Sequence, residues 1–425
     1  MRKLLVLSAI ATCISYTFAQ EPIPVTLESC YAMAMQYYPT SGQTEVLDNI
    51  YAESLQRING LWQPQIMLNT QATYQSDVTH VPISFPGIDI PVLSKDQYKA
   101  TIDLSQVLYD GGVTKQQKSI QEANTTVEKN KVQVDLYALK EKINTLFFAI
   151  LLADAQREQI DNTKLALYYK EEKIKSGITY GVATQMDLDI FRSERLKLDR
   201  QETELMSMRN TAVKTLSLLT GSSMGNDSYF ITPEAPAQVN TKMNRPELAL
   251  FEAQEMLLQR KADFSAAMDL PKISVFAQGG YGKPGLNFLD DEFAFFYIAG
   301  IKLQYPIWTG NVKKHDATMY TYNKSIVDMQ RNAFLLQTQV DYTRAQESAD
   351  KYHEMLSMDI EQVDLKTSIL QAADAQLENG TITAKDYVSY VYDKSNAELQ
   401  LAMDKLQELS EQIHAITING NDYAN

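Results

Sequence analysis

The most constraining feature of this sequence is a duplication whose two copies keep the same register over a very long distance. Residues 104–111 (LSQVLYDG) recur as residues 303–310 (LQYPIWTG), and residues 181–187 (GVATQMD) recur as residues 380–386 (GTITAKD), both 199 positions later. About eighty residues therefore align without a net gap. Because only a rigid element of fixed length tolerates no net insertion, the register predicts a pair of long helices in each copy.

Upstream of this stretch the offset between the copies is different. Pro39 matches Pro246 and Pro64 matches Pro271, both at an offset of 207. The difference of eight residues must fall between residues 64 and 104, and we place it in the loop at residues 80–96.

The composition excludes several classes of protein. The net charge of −14 makes nucleic acid or an anionic membrane surface an unfavourable electrostatic partner. The four histidines are scattered and have no ligand-like spacing with Cys30, so we expect no metal site and no other cofactor. The sequence contains no nucleophile elbow, phosphate-binding loop or metal motif, and we therefore expect no enzyme.

Residues 1–19 have the pattern of a secretory signal peptide. A basic start, an apolar run and a small-residue cleavage site at Ala19 follow one another in that order. Lipidation at Cys13 is the alternative. Removal of the signal leaves Cys30 alone, which rules out an internal disulfide.

Two long segments have the periodicity of amphipathic helices. Residues 112–176 and 312–378 contain no proline, and their apolar residues recur at three- and four-residue steps. The stripes consist of Leu136, Leu139, Ile143, Leu146 or Phe147, and Ile150 in one copy, and of Ile360, Val363, Leu370, Ala373 and Leu377 in the other. We interpret both stripes as packing surfaces. At 1.5 Å per residue, about 65 residues span roughly 100 Å, so these helices must project from the rest of the protein.

Each long helix is followed by a glycine-containing turn and a returning helix, at about residues 186–219 and 386–418. The partners are adjacent in sequence and antiparallel, which gives two long helical hairpins.

Four segments alternate between apolar and polar residues with a period of two. They are residues 65–75, 98–105, 273–281 and 295–304, of which the last alternates least cleanly. This pattern fits a lipid-facing barrel with a watery lumen, and also a soluble sheet with one buried face. The signal peptide and the projecting helices favour the barrel. Since four strands cannot close a barrel and open edges are not tolerated in lipid, we expect three chains to contribute twelve strands.

Several short motifs resemble the outer-membrane efflux protein family, the TolC-like trimeric channels. They are NRPEL at residues 244–248, DLPKI at residues 269–273, the strand-to-helix turns at residues 108–112 and 305–310, and the two Gly-x-x-Thr-x-x-Asp turns. Each motif is weak alone, but their order, spacing and duplication make the resemblance specific, and it covers essentially the whole mature chain.

The resemblance implies a homotrimer with a twelve-stranded barrel in outer-membrane lipid and an α-helical barrel in the periplasm. It implies passive conduction of small toxic molecules to the exterior. The expected partners are a periplasmic adaptor (membrane fusion protein) and an inner-membrane pump of the RND or ABC type. An alternative is the outer-membrane duct of a type I protein secretion system. A periplasmic adaptor protein, a different class, should carry a single helical hairpin and lipoyl-type segments.

The expected division of the chain follows the two copies. It consists of the signal peptide (1–19), a first repeat (20–220) with a β-hairpin at about 65–109 and a helical hairpin at about 112–220, a linker or equatorial region (221–244), and a second repeat (245–425) with a β-hairpin at about 272–306 and a helical hairpin at about 311–418.

The tips of the helical hairpins are the candidate functional sites. Asp386, with its counterpart Asp187, falls where the resemblance implies an aspartate ring at a periplasmic gate, while the family's second aspartate is replaced by Ser389. The family's Arg and Tyr lock does not carry over, because Ile382 and Leu377 lie nearest to those positions.

A second interpretation of the same turns is local. Thr184 and Thr383 read as N-caps, and an aspartate in the first turn of a helix is favoured by the helix dipole. Gly181 and Gly380 would permit the tight turns. Together with the two threonines they form the surface on which we expect an adaptor or pump to dock.

Overall fold

The computed structural model describes residues 24–79, 92–225, 227–236 and 242–421. The expected signal peptide, including Cys13, lies outside the described residues, as does most of the loop at residues 80–96. In chain order the elements are α1 (Leu27–Tyr37), a short 3-10 turn (Pro39–Gly42), α2 (Gln43–Gly60), β1 (Gln65–Tyr74), β2 (Asp96–Tyr109), α3 (Val113–Thr179), α4 (Gln185–Thr220), α5 (Pro246–Met268), β3 (Lys272–Lys283), β4 (Ala294–Gln304), α6 (Val312–Glu378) and α7 (Ala384–Ile418).

The two long helices have the same length. Helices α3 and α6 each contain 67 residues, and their first and last residues are related by the offset of 199 found in the sequence. The returning helices α4 and α7, of 36 and 35 residues, lie antiparallel to them. The predicted pair of long helical hairpins is confirmed, and the ends of the helices differ from the predicted ones by no more than three residues.

The four strands form one antiparallel sheet in the order β1-β2-β3-β4. Tyr74 pairs with Asp96 in the first hairpin, and Tyr281 pairs with Phe295 in the second. The eight-residue difference between the copies therefore lies in the connection between the paired strands, as predicted. Strands β1 and β4 each have one partner among the described residues, which leave both edges of the sheet open.

The two faces of the sheet differ in chemistry, because successive side chains of a strand point to opposite sides. One face is apolar and exposed, and its most exposed members are Phe295, Tyr297, Tyr74, Ile301 and Leu68. On the opposite face, Asn69 and Gln278 donate hydrogen bonds to the carboxylate of Asp103. An exposed apolar surface of this extent marks contact with lipid or with another protein.

Burial is unequal between the two long helices. Helix α3 packs closely against α1, α2, α4, α5 and α7, whereas α6 packs closely against α5 and α7 and meets α3 through side chains near the tips. The stripe predicted on α3 is buried, whereas Ile360 of the predicted α6 stripe is 50% exposed and is not covered by the described residues of this chain. The physical reason is that α6 lies at the margin of the chain, where a second face has no neighbour.

That second face of α6 carries an uncovered heptad pattern. The positions alternate by three and four residues, and they are occupied by Met319, Tyr322, Ile326, Met329, Ala333, Leu336 and Val340. Apolar residues at this spacing form the seam of a coiled coil. Except for the small Ala333, all have large apolar side chains that are exposed in the single chain. We refer to these seven residues as the α6 seam.

The main core surrounds the middle of α3. Phe147, fully buried there, meets Phe230 edge to face with ring centroids 5.5 Å apart. Arg209 holds this part of the linker in place: it pairs with Asp154 at 2.5 Å and donates to the carbonyl of Ser228. The segment after α4 is thus anchored to the outside of the first hairpin.

Among the described residues, no helix combines the length and the apolar character needed to cross a membrane.

Candidate functional site

The tips of the two helical hairpins have the same backbone construction. At the end of α3, the amide of Gly181 donates to the carbonyl of Ile178 and that of Val182 donates to the carbonyl of Gly177. At the end of α6, Gly380 donates to Leu377 and Thr381 donates to Gln376. This is a Schellman motif, and it requires a left-handed residue just after the helix.

Glycine supplies that conformation at both tips. Gly181 has a φ of 76° and Gly380 a φ of 69°. No atom lies within 4 Å of the place where a Cβ would stand at either position. The backbone angle, and not a lack of space, therefore accounts for glycine at these two positions.

A capping box begins each returning helix. The Thr383 hydroxyl accepts from the amide of Asp386 at 3.1 Å, and the Asp386 carboxylate accepts from the amide of Thr383 at 3.1 Å. Thr184 and Asp187 make the same pair of bonds, at 3.2 and 3.0 Å. The Gly-x-x-Thr-x-x-Asp motif is thus a Schellman motif followed directly by a capping box.

The capping bonds also set the charge of Asp386. Hydrogen bonds from the side chain and the backbone of Thr383 lower the pKa of its carboxyl group, which therefore remains ionised at neutral pH. The local role of both aspartates is settled by these bonds, while their place in a gate remains a prediction.

The tips differ in the side chains they present. Tyr180 and Val182 on the first tip are 80% and 82% exposed, and Met186 beside them is also exposed. On the second tip Thr381 and Lys385 are exposed, whereas Ile382 packs inward. Only the first of these tips therefore offers an apolar surface.

Just above the tips, the two hairpins are joined by a buried apolar cluster. Leu167 and Phe191 of the first hairpin pack with Ala373, Tyr387 and Val388 of the second. Ile382 and Leu377 pack against this cluster as partly buried side chains.

Ion pairs surround this cluster and link α3 to α6. Lys170 pairs with Asp374 and lies 3.7 Å from Glu378, and Lys173 pairs with Glu378. The Lys170 ammonium also lies 5.2 Å from the centre of the Tyr387 ring. We call Lys170, Lys173, Asp374 and Glu378 the inter-hairpin ion pairs.

The ion pairs change the acidity of their members. The hydrogen bond from Lys173 lowers the pKa of Glu378. Burial alone would raise the pKa of Asp374, but the hydrogen bonds from Lys170 and Tyr387 outweigh it and lower the pKa. Both carboxylates are therefore charged at neutral pH, so the links are complete under those conditions.

Sequence reasoning missed these residues, although a signal was present. In the last turns of the two long helices the equivalent segments carry opposite net charge: residues 170–179 contain three lysines and two glutamates, and residues 369–378 contain two acidic residues and no basic one. Complementary charge in equivalent segments of two copies indicates a contact between them.

Among the residues that the structure describes, no group of three or more His, Cys, Asp or Glu side chains is placed to hold a metal ion. Cys30 is buried in the core and is a free thiol.

Known proteins match this chain in fold but not in sequence. No family model matches the chain, and no curated protein matches it significantly. Among solved structures, the outer membrane protein VceC from Vibrio cholerae is 13% identical, with a TM-score of 0.64, over 92% of this chain and 96% of that protein.

Two further structures give similar figures. The CmeC outer membrane channel of Campylobacter jejuni is 13% identical with a TM-score of 0.64, over 94% of this chain and 87% of that one. The open state of the Neisseria gonorrhoeae MtrE outer membrane channel is 13% identical with a TM-score of 0.63, over 93% and 89%. The chain therefore has the fold of these outer-membrane proteins.

Proposed function

We propose that this chain, which shares its fold with outer-membrane channels, is itself the channel-tunnel of a tripartite efflux system. In this proposal three copies form one twelve-stranded barrel in the cell outer membrane, and their helices form a tunnel in the periplasm. The tunnel passively conducts small toxic molecules from the periplasm, or from an inner-membrane pump, to the exterior.

The main support for the proposal is that one chain contains both a four-stranded sheet, too small to close into a barrel, and helices about 100 Å long. The sheet has one exposed apolar face and two open edges, and unpaired edges are not tolerated in lipid. Other copies of the chain can supply both missing edges at once, since β4 of one copy can pair with β1 of the next.

The α6 seam supports the same assembly. A coiled-coil seam is stable only against another helix, and no helix in the described part of the chain covers it. Val46 and Ile50 of α2 form a second exposed apolar surface, at the opposite margin of the chain. In a ring of three copies these two margins face each other.

We further propose that the inter-hairpin ion pairs hold the tunnel closed at its tip. They join the last turns of α3 to the last turns of α6, so the hairpins cannot separate there without losing them. A ring of Asp386 carboxylates, together with Asp187, would make the constriction electronegative. Gly181, Thr184, Gly380 and Thr383 would form the surface on which an adaptor docks.

Conductance in a planar lipid bilayer, combined with mass measurement in detergent, tests the proposal. We expect a trimer that conducts weakly, because its tip is closed. Lys173→Gln removes a link between hairpins and should raise the conductance, as should Asp386→Ala. A monomer without channel activity would contradict the proposed function.

A matched control distinguishes opening of the gate from the general destabilisation caused by loss of any ion pair. Lys366 pairs with Asp393 at 2.7 Å, but both residues belong to the second hairpin. Lys366→Gln therefore removes one ion pair without unlinking the hairpins, and its conductance should equal that of the wild type. An equal rise in both variants would count against the gate.

A further inference from the structure

Strand β4 departs from the alternation of apolar and polar residues that the other strands follow. Its polar-side positions are occupied by Phe296, Ile298 and Gly300, and Phe276 of β3 lies on the same side. In the proposed barrel this side faces the lumen, where aromatic rings are unexpected in a polar wall.

Both rings lie over glycines of the neighbouring strand. Phe276 pairs with Gly300 and Phe296 pairs with Gly280. A Cβ at Gly300 would lie 3.0 Å from Cε1 and Cζ of Phe276, and one at Gly280 would lie 2.6 Å from Cζ of Phe296. The missing side chains allow the rings to lie against the backbone of the sheet, which presents one ring face outward.

One lysine lies over the Phe296 ring, and a second is a diagonal neighbour of Phe276 in the strand register. The ammonium of Lys99 lies 5.1 Å from the centre of the Phe296 ring. Lys302 pairs with Ser274, next to the pair of Phe276 and Gly300, which puts it diagonal to Phe276 at a Cα separation of about 7–8 Å. Packing against Gly280 and Gly300 accounts for the positions of the two rings. It does not account for the positive charge of the neighbouring lysines.

The charge of this face is opposite to that of the chain. Its charged residues are Lys99, Lys272 and Lys302 against the single carboxylate of Asp103, a net charge of +2 in a chain of net charge −14. Asp103 accepts hydrogen bonds from Asn69 and Gln278. Of the three lysines, Lys99 and Lys302 are the two that the structure and the strand register place next to the rings.

We infer that Phe276, Phe296, Lys99 and Lys302 form a binding site for planar aromatic anions on the wall of the barrel. The aromatic part of the ligand stacks on an exposed phenyl face, and its acidic group pairs with the adjacent ammonium. Phe276, 39% exposed, offers the more open of the two rings. The inference rests on the proposed function, since it requires that this face line a conduit.

Three copies would repeat the site around one lumen. Six pairs of ring and lysine in a narrow pore with low-dielectric walls would raise the local concentration of such anions. The site would favour aromatic acids among the molecules that the tunnel exports, while the acidic tip acts at the other end.

Single-channel recording with a soluble probe tests the inference. Pyranine, a planar aromatic polysulfonate, is added to the compartment opposite the one from which the protein inserts, so that it meets the barrel first. We expect brief current blockades by pyranine, and none at the same concentration of tricarballylate, a flexible trianion, or of ethidium, an aromatic cation.

Variants assign the blockades to the site. Phe276→Leu should shorten the blockades about three- to tenfold, as expected for loss of an aromatic contact, and Lys99→Gln and Lys302→Gln should each reduce their frequency. The matched control is Phe295→Leu, which removes the neighbouring ring of β4 on the opposite face, where it is 86% exposed. This variant should behave as the wild type.

The outcomes separate the two proposals. Channels that conduct but show no pyranine blockade, or blockades unaltered in Phe276→Leu and Lys99→Gln, would overturn the inference and leave the channel function intact. Absence of any conductance would overturn the proposed function, and the binding site with it.

Discussion

Helices α3 and α6 have the same length and equivalent places in the two copies, yet α3 buries eighteen residues and α6 only six. The numbers of exposed large apolar side chains are reversed, with three on α3 and eleven on α6. The chain wraps its first hairpin with α1, α2, α5 and the linker, and leaves the second at its margin. Equal reach and unequal burial are what a closed ring of identical chains requires: every tip must end at the same level, and each chain must keep a surface for the next.

The largest effects are expected from substitutions at the two hairpin tips, where the two copies have the same backbone structure. Gly380→Trp and Gly181→Trp put a bulky group on an exposed turn and force it into a left-handed conformation, at a cost of about 1–2 kcal/mol. This cost is too small to unfold a long hairpin, so we expect trimers that no longer dock and no longer confer resistance to toxic compounds. Growth inhibition in a strain that depends on this channel measures the effect.

Gly279→Trp is the control for the tips. Gly279 also has open space around its Cα, but it lies on the apolar face of β3, far from the turns. Normal resistance with Gly380→Trp, or lost resistance with Gly279→Trp, would count against docking at the tips.

The unequal burial predicts unequal stability effects at equivalent positions. Phe147 of α3 corresponds to Gln346 of α6 in the register of 199. Because Phe147 is fully buried, Phe147→Ala should cost about 3–5 kcal/mol, whereas Gln346→Ala should change the stability by less than about 0.5 kcal/mol. Unfolding in detergent, followed by circular dichroism, compares the two. Equal losses would mean that the two hairpins are not buried differently.

A smaller effect on stability is expected at a buried site that is polar in the second hairpin and apolar in the first. The buried pair Asp359 and Asp404 joins α6 to α7, while the equivalent positions of the first hairpin hold Ile160 and Leu205. Gln400 donates to Oδ1 of Asp404 at 2.8 Å, and Oδ2 of each aspartate has no donor. Burial, and then the proximity of Asp404, raise the pKa of Asp359 above its ordinary value of 3.8.

The sign of the pH effect follows from that shift. A raised pKa in the folded state favours folding below pH 3.8, and this contribution is lost as the pH rises through the folded value. Asp359→Asn should therefore stabilise the protein at pH 7, on the order of 1 kcal/mol, and have almost no effect at pH 3. Thermal unfolding at the two pH values tests this. A stabilisation of equal size at both would show that the proton is not involved.

The sequence was sufficient for features that repeat, and insufficient for features that depend on which surfaces meet. The fixed offset predicted the equal helices, the period of two predicted the strands, and the Gly-x-x-Thr-x-x-Asp turns marked the tips. The stripe that contains Ile360 does not reveal whether its packing partner belongs to the same chain, and Ile360 is half exposed in the single chain. Lys170 and Asp374 were missed because their contact depends on the rotation of two helices about their axes, which the sequence alone does not fix.

We propose that the α6 seam is the surface that meets another copy of the chain, and the mass of the protein in detergent tests this assembly. Glutamate at two seam positions, in Met329→Glu with Leu336→Glu, would place charges in a buried coiled-coil contact but leave the single chain unstrained, since both residues are exposed there. We predict a trimer for the wild type and for the tip control Tyr180→Glu, and a folded monomer for the double variant. A wild-type monomer, or a double variant that remains a stable trimer, would contradict the account.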